Sequence, residues 1–366
     1  MRALIIGAGA GGTTIASSLA RSGWKASVFE AYSHSSGLSQ GEFLTVAVNG
    51  QSALRTLCAR DVIRKNGFPT PLAEFYSEGR KVGTMPLGPK LEDGSVTHTI
   101  RRPHLYKGLY DVAIENGADI MHLKKFLSFS EDADGVTATF EDGSQERGDV
   151  LIAADGIHSP VRQLLDPQSP DPYYIGRGNS AGYSNLDIDS PVGAYRMFQG
   201  NKLFFGYTKA PDGSLWWFAS PPVPKPLTPD ELHDTGDAVK KRLINLLDGD
   251  KGPAADIIAA SVNEPRIWNQ FALKEVPCWH SNRAVIIGDA AHAVSPATGQ
   301  GASMAFEDAV VLAKVLGDYA SVPEALTVYD AERRERIRAI LSYGKKPTGE
   351  RKSGAIGRLI RDFHLP

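Results

Sequence analysis

The sequence predicts an α/β fold in which buried parallel strands come from separated segments, with a β-meander inserted between them and C-terminal helices. Three observations predict it. Apolar runs at Arg2-Ala3-Leu4-Ile5-Ile6, Val150-Leu151-Ile152-Ala153 and Ala284-Val285-Ile286-Ile287 each end in a glycine-containing turn, the pattern of strands buried on both faces. Residues 173–220 instead alternate apolar segments with Gln199-Gly200-Asn201 and Pro211-Asp212-Gly213, the pattern of antiparallel strands. Long helical patterns follow at residues 301–316 and 322–342.

The first run leads into Gly7-Ala8-Gly9-Ala10-Gly11-Gly12, which fits G-x-G-x-x-G. In that motif Gly7 serves the tight turn and Gly9 the approach of backbone to a pyrophosphate. Gly12 serves close packing of the next helix on the strand. Residues 13–21 continue as that helix, whose free N-terminal amides favour an anion. Ala26-Ser27-Val28-Phe29 is the second strand, and Glu30 at its end has the spacing of a ribose-binding carboxylate. Strand, glycine turn, helix, strand and acid together predict a Rossmann-like, dinucleotide-binding unit.

A serine- and glycine-rich loop follows at residues 32–40, then a helical stretch at 51–64. Residues 72–99 read as short strands, and 101–115 restores a helical face with Leu105, Leu109, Val112 and Ala113. Ile120-Met121, residues 126–130 and residues 136–140 read as strands, with Glu141-Asp142-Gly143 as a hairpin turn. Residues 228–247 and 254–260 read as helices, and Pro221-Pro222-Val223-Pro224-Lys225-Pro226 as a stiff connector. The domain boundaries expected are 1–71 with 98–172 and 271–320 for the discontinuous cofactor domain. The substrate domain takes 72–97 with 173–270, and 321–366 forms a C-terminal helical segment.

Composition bounds the function. Lys and Arg number 40 against 42 Asp and Glu, so no bulk field draws in nucleic acid or an anionic membrane. Arg333-Arg334-Glu335-Arg336-Ile337-Arg338 reads as a solvated helix face. Only Cys58 and Cys278 are present, which suggests a reducing, cytoplasmic location and no disulfide framework. No apolar stretch reaches the roughly 18–20 residues of a membrane span. Residues 1–20 resemble a secretory signal only superficially, because glycines and threonines interrupt the apolar run. The histidines lack metal-ligand spacing, so no metal site is expected. His292 reads as a satisfied structural histidine, and no residue stands out as a catalytic nucleophile.

Ala153-Ala154-Asp155-Gly156 and Gly288-Asp289-Ala290-Ala291-His292, the latter leading into Pro296-Ala297-Thr298-Gly299-Gln300-Gly301, complete the pattern. By themselves Asp155 and Gly156 read as a turn-forming pair. In this order and spacing the stretches resemble the single-component FAD-dependent aromatic hydroxylases, typified by para-hydroxybenzoate hydroxylase, over essentially the whole chain. The resemblance implies a discontinuous Rossmann-like FAD-binding domain with non-covalent FAD. Gly7 to Gly12 corresponds to the ADP-binding fingerprint, and Asp155 with Gly156 to a motif serving both FAD and the nicotinamide donor. Gly288 and Asp289 match the motif whose aspartate holds the ribityl chain, Arg102 a flavin-contacting arginine, and Phe126 an adenine-side backbone contact. Gly299 and Gly301 let main chain approach the isoalloxazine.

The activity implied is an NADH- or NADPH-dependent monooxygenase that hydroxylates an aromatic or electron-rich small molecule with dioxygen through a flavin hydroperoxide. Residues 32–53 hold no Lys or Arg, which tilts the donor towards NADH. Met197, Phe205, Tyr207 and Trp217 are the expected pocket residues of the meander, with Pro296 on the opposite wall. Arg196 reads as a surface arginine. Trp216-Trp217-Phe218 is not the W-x-W-x-I-P of a flavin halogenase. Competing readings are a nicotinamide dehydrogenase and an FAD- or metabolite-binding protein without oxygen transfer; either a monomer or a homodimer is compatible.

Overall fold

The apolar runs pair as a five-stranded sheet in the order Ala284–Ile286, Val150–Ala153, Arg2–Ile6, Lys25–Phe29, Asp119–Met121, and every pairing is parallel. A computed structural model supplies this architecture and describes residues 1–35 and 41–344. The serine-rich loop expected at 32–40 and the C-terminal segment expected to 366 therefore lie partly outside the described residues. Leu4, Ile5, Val28, Leu151 and Val285 have no exposed surface. Each such aliphatic side chain contributes roughly 1.5–3 kcal/mol of burial.

Contacts divide the chain into two compact units. The first comprises Met1–Gly67, Ile100–Tyr173 and the chain from Ala272 onward; the second comprises Phe68–Thr99 and Tyr174–Phe271. In the first unit the helix Ala10–Arg21 packs against Gly301–Asp318 and Arg102–Glu115. Gly12 makes the strand-to-helix turn possible: a Cβ there would lie 1.9 Å from the Gly7 carbonyl oxygen. The helix Val322–Gly344 packs on Gly301–Asp318. Among the described residues no helix is long and apolar enough to cross a membrane.

The helix expected over 51–64 is two helices, Val48–Arg55 and Arg60–Asn66. Cys58 has φ 56°, and the Ala59 amide reaches back to the Leu54 carbonyl at 3.0 Å while Cys58 reaches Arg55 at 3.1 Å. This is a Schellman stop with cysteine at the position glycine usually marks, so the sequence carried no stop signal.

The arginine run is not a solvated face. Arg333 is 1% exposed and is ion-paired to Glu307 and Asp308, both at 2.7 Å. Arg336 pairs with the same Glu307 at 2.6 Å, and Arg334 lies 4.5 Å from the Trp279 ring centroid. In that run Arg338 matches the expectation, with its side chain 61% exposed. Glu307 and Asp308, buried on the neighbouring helix, draw Arg333 and Arg336 inward.

The second unit is built on a seven-stranded sheet: Trp268–Ala272, Tyr173–Ser184, Leu215–Ser220, Phe204–Lys209, Ala194–Gln199, Leu72–Ser77, Arg80–Pro86. It departs from a simple meander twice. Tyr173–Ser184 pairs with Leu215–Ser220, not with the next strand, and Ala194–Gln199 runs parallel to Leu72–Ser77. The helix expected over 228–247 spans Asp237–Leu246 only, because Gly236 turns the chain at φ 63°.

Strand parity corrects the expected pocket. Tyr207 pairs with Arg196 and with Trp217, whereas Met197 pairs with Gly206. Paired residues share a face and neighbours along a strand alternate, so Met197 faces opposite to Phe205, Tyr207 and Trp217. Those three are fully buried in a core with Val239, Leu243, Ile257 and Ile258 of the helices Asp237–Leu246 and Ala254–Ala259. They fill that core, and Phe205 in addition borders a small cleft with Tyr76, Phe198 and Leu247 on the same side of the sheet. Arg196 is no free surface residue: it shares that face, bonded to Glu74 at 3.1 Å and to the Asp189 carbonyl at 2.9 Å.

Gly12→Ala is expected to lower the Tm of the ligand-free protein by about 4–8 °C, the scale of overpacking in a domain of this size. Calorimetry of the purified variant checks this, and an unchanged Tm would contradict the packing described.

Candidate functional site

Three neighbouring strands of the parallel sheet end side by side, and each ends in one of the sequence motifs. Gly7 follows Arg2–Ile6, Asp155 follows Val150–Ala153, and Gly288 follows Ala284–Ile286. Ala154 donates to the Ile6 carbonyl at 2.8 Å and Ile287 to the Ala153 carbonyl at 2.9 Å, so the chains leave the sheet at one level. Ligands of open α/β sheets bind outside these carboxyl ends. Close packing ties the turns together. A Cβ on Gly7 would meet the Ala154 carbonyl oxygen at 2.6 Å, and Ala305 lies 3.6 Å from one on Gly11 and 3.2 Å from one on Gly288.

Against this tight packing, Gly9 is open. A Cβ there would find nothing within 4 Å, although its backbone is extended at φ −69° and ψ −175°. The helix it precedes has no side-chain cap and no acid in its first turn. That leaves amides and a positive helix end facing free space, a cradle for a phosphate. Gly156 is equally open. Glu30 has less freedom than the sequence implied: it accepts from the Ala8 amide at 2.7 Å and the Tyr32 amide at 3.0 Å. Each oxygen keeps a second acceptor position for a ribose hydroxyl.

Asp289 opens the third turn. It is exposed to solvent yet surrounded by protein, and desolvation raises its pKa against the pull of His292 and Arg102. A Cβ on Gly301 would lie 4.0 Å from its carboxylate, and the helix Gly301–Asp318 also starts without a side-chain cap. Gly299 turns at φ 60°, and exposed Pro296 opens the short turn Pro296–Thr298 before it. Arg102 begins the helix Arg102–Glu115 and bonds the Tyr106 hydroxyl at 2.6 Å, while its Nε is buried without a partner. The phenolic oxygen of Tyr106, before desolvation, is the main cause of its raised pKa, with Asp289 and Glu42 adding to it. Phe126 starts the strand Phe126–Glu131 with its ring in the core, so contact from this position falls to its backbone.

Asp155 completes the set. Its Oδ1 is buried without a partner, and burial pushes its pKa up to about 6 against hydrogen bonds from Ser159 and Val161. Unpartnered polar atoms on Asp155 and Arg102, together with the open glycines, are the groups a polar cofactor of this kind satisfies. Among the described residues no group of three or more His, Cys, Asp or Glu is placed to hold a metal ion.

Two features escaped the sequence reading. Arg162, 1% exposed, donates to the Ala290 carbonyl at 3.0 Å and the Ile157 carbonyl at 2.8 Å. It therefore bridges the Asp155 and Asp289 turns, and an arginine inside apolar Val161 and Leu164-Leu165 was its only signal. His292 is buried as expected but only half satisfied: its Nε2 lies 2.6 Å from Asp308 Oδ2, whereas its Nδ1 is buried without a partner.

The elevated pKa of Asp155 has a stability consequence. The folded protein keeps this proton to about pH 6, the unfolded chain only to 3.8, so stability is full below the lower value and falls as pH rises through the upper one. Asp155→Asn is therefore expected to raise the Tm of ligand-free protein by about 2–4 °C at neutral pH and to leave it unchanged near pH 3.8. Thermal melts across pH test this, and a gain that persists undiminished at the acidic end would contradict it.

The FAD binding domain family matches residues 1–343. The chain is 30% identical over 354 residues to an FAD-dependent urate hydroxylase of Klebsiella pneumoniae, covering 94% of this chain and 89% of that protein. It is 30% identical over 368 residues to the aurachin C monooxygenase/isomerase of Stigmatella aurantiaca, covering 98% and 90%. Among solved structures, Klebsiella pneumoniae HpxO in complex with FAD and uric acid superposes with a TM-score of 0.82 at 27% identity, over 99% of this chain and 93% of that one. The cofactor of the present chain is accordingly FAD. The chain belongs to the FAD-binding-domain family of flavoprotein monooxygenases.

Proposed function

We propose that this flavoprotein takes electrons from NADH or NADPH and uses dioxygen to hydroxylate an uncharged aromatic or otherwise electron-rich small molecule. The observation that carries the reading is the convergence of three strand-end turns, with open Gly9, the unpartnered Asp155 Oδ1 and accessible Asp289. The monooxygenase relatives support the reaction class. When bound, FAD supplies redox chemistry with dioxygen that amino-acid side chains lack.

The chain's own residues bind and orient. The amides after Gly9 would hold the pyrophosphate, aided by the helix dipole. Gly7 and Gly12 would shape that turn, and Glu30 would accept from the adenosine ribose. Asp289, following Gly288, would accept from ribityl hydroxyls, and Arg102 would place positive charge beside the flavin. Gly299 and Gly301 would admit the ring to the uncapped helix end. Phe126 would meet the adenine side through its backbone. Asp155, with Gly156, would hold or release a proton near neutral pH. In this reading the first compact unit is the FAD-binding domain, ending in the C-terminal helix, and the second is the substrate domain.

The substrate class follows from charge segregation in the second sheet. On the face carrying Met197, its strands Leu72–Ser77, Ala194–Gln199, Phe204–Lys209 and Leu215–Ser220 place Ala73, Phe75, Tyr195, Thr208, Trp216 and Phe218. No charged residue of these strands is on that face; Glu74, Arg196 and Lys209 point the other way. Desolvating a carboxylate or phosphate against such a surface is costly. We therefore assign Met197 and its partly exposed same-face neighbours Phe75 and Phe218 to substrate contact and favour a neutral substrate. The lack of Lys and Arg over 32–53 favours NADH, although residues 36–40 lie outside the described part of that stretch.

Gly9→Ala is expected to leave the ligand-free Tm unchanged and to weaken FAD binding on the order of tenfold or more, because the new methyl group occupies the cradle. Fluorescence titration of apoprotein with FAD checks this; unchanged affinity would remove Gly9 from the site. Neutral aromatic compounds are expected to stimulate NADH oxidation, with NADH at least as effective as NADPH. Carboxylated or phosphorylated analogues are expected to be inert. A set in which only anionic compounds stimulate would contradict the substrate class. Failure of either donor to reduce bound FAD would favour an FAD-binding protein without oxygen transfer.

A further inference from the structure

We propose that Asp308 is a positioning residue for FAD. It would aim Asp289 by gripping both ends of the turn that carries it, and Arg333 of the C-terminal helix would serve as its counter-charge. The inference rests on the reading of Asp289 as a cofactor contact. Asp308 has no exposed surface. Its Oδ2 accepts from the Gly288 amide at 2.8 Å and lies 2.6 Å from His292 Nε2. These groups bracket the short helix Asp289–His292, so one carboxylate oxygen holds the residue before Asp289 and the residue that ends its turn. Gly288 also adopts φ 60°, a conformation that the Asp308 bond retains. Asp289 itself is exposed to solvent and so accessible to a ligand.

The other oxygen, Oδ1, accepts from Arg333 Nε at 2.7 Å. Without that guanidinium, a buried carboxylate so close to Asp289 would raise the Asp289 pKa further, as like charges do. Arg333 also donates to Glu307 at 2.7 Å and to the Met304 carbonyl at 3.3 Å. Glu307 in turn accepts from Asn49 at 2.8 Å, and Asn49 donates to Gln300 at 3.2 Å, immediately before the Gly301 helix. The same buried network therefore reaches both the Asp289 turn and the glycine segment 299–301. A buried ion network adds little net stability after desolvation, but it enforces one geometry.

The test compares FAD affinity with stability. Asp308→Asn keeps size but turns an amide N–H2 towards either Arg333 or the Gly288 and His292 donors, leaving donors without an acceptor. Its FAD Kd, from fluorescence titration of apoprotein, is expected to rise on the order of tenfold, the loss of a hydrogen bond to a charged group. Leu312→Ala, a fully buried change on the same helix, is expected to lower Tm while leaving Kd within about twofold, since it touches no part of the turn. In Asp289→Ala, adding Asp308→Asn should weaken binding no further, because Asp308 acts through Asp289. If Asp308→Asn does not fold, Arg333→Met carries the same comparison. Unchanged FAD affinity in Asp308→Asn, or an equal loss in Leu312→Ala, would overturn the proposal while leaving the Asp289 assignment standing. Unchanged affinity in Asp289→Ala would instead refute that assignment, and the proposal with it.

Discussion

One carboxylate, Asp308, joins the pieces on which the rest of this molecule depends. It takes hydrogen bonds from a sheet-end amide at Gly288, a buried imidazole at His292 and a buried guanidinium at Arg333. The three donors come from a strand end, the turn after it and the C-terminal helix. Against complete burial, the His292 imidazole, the Arg333 guanidinium and the Gly288 amide hold the carboxyl down to a pKa of about 2. Removing any one partner would leave charge stranded in a low-dielectric interior, which typically costs several kcal/mol. The interaction therefore acts as a constraint on geometry more than as a source of net stability.

Around that constraint the architecture is simple. Three parallel strands end together, and glycines at their ends alternate between contact and openness. Gly12 is closed on its own turn, and Gly9 is open to a ligand. Arg162 ties the second turn to the third through the Ala290 carbonyl. The resulting site combines helix N-termini, which favour phosphate, with aspartates whose burial raises their pKa. Such a surface suits a cofactor with an anionic middle and a hydroxyl-bearing chain, and FAD has both.

Much of this was legible in the sequence because it depends on local chemistry. Gly7, Gly9, Gly12, Asp155, Gly288 and Asp289 stand in the turns where three parallel strands end, and their spacing carries that information. What was not legible depends on pairing at a distance. Arg333 looked solvated because Glu335 interrupts its run, while its true partners, Glu307 and Asp308, are on another helix. The aromatic residues of the meander looked equivalent until strand pairing separated Met197 from Phe205, Tyr207 and Trp217. Parallel pairing of Ala194–Gln199 with Leu72–Ser77 joins strands more than a hundred residues apart, and no turn signal announces it. The helix stop at Cys58 was hidden because a cysteine occupies the left-handed position.

The central claim is that the three strand-end turns form a single FAD site with Asp289 held for the cofactor. A crystal structure of the purified holoprotein tests it most directly. The account predicts the pyrophosphate against the amides after Gly9, a ribityl hydroxyl within hydrogen-bond distance of Asp289, and the Asp308–Gly288 bond intact. FAD bound elsewhere, or bound with Asp289 turned away from the cofactor, would contradict it.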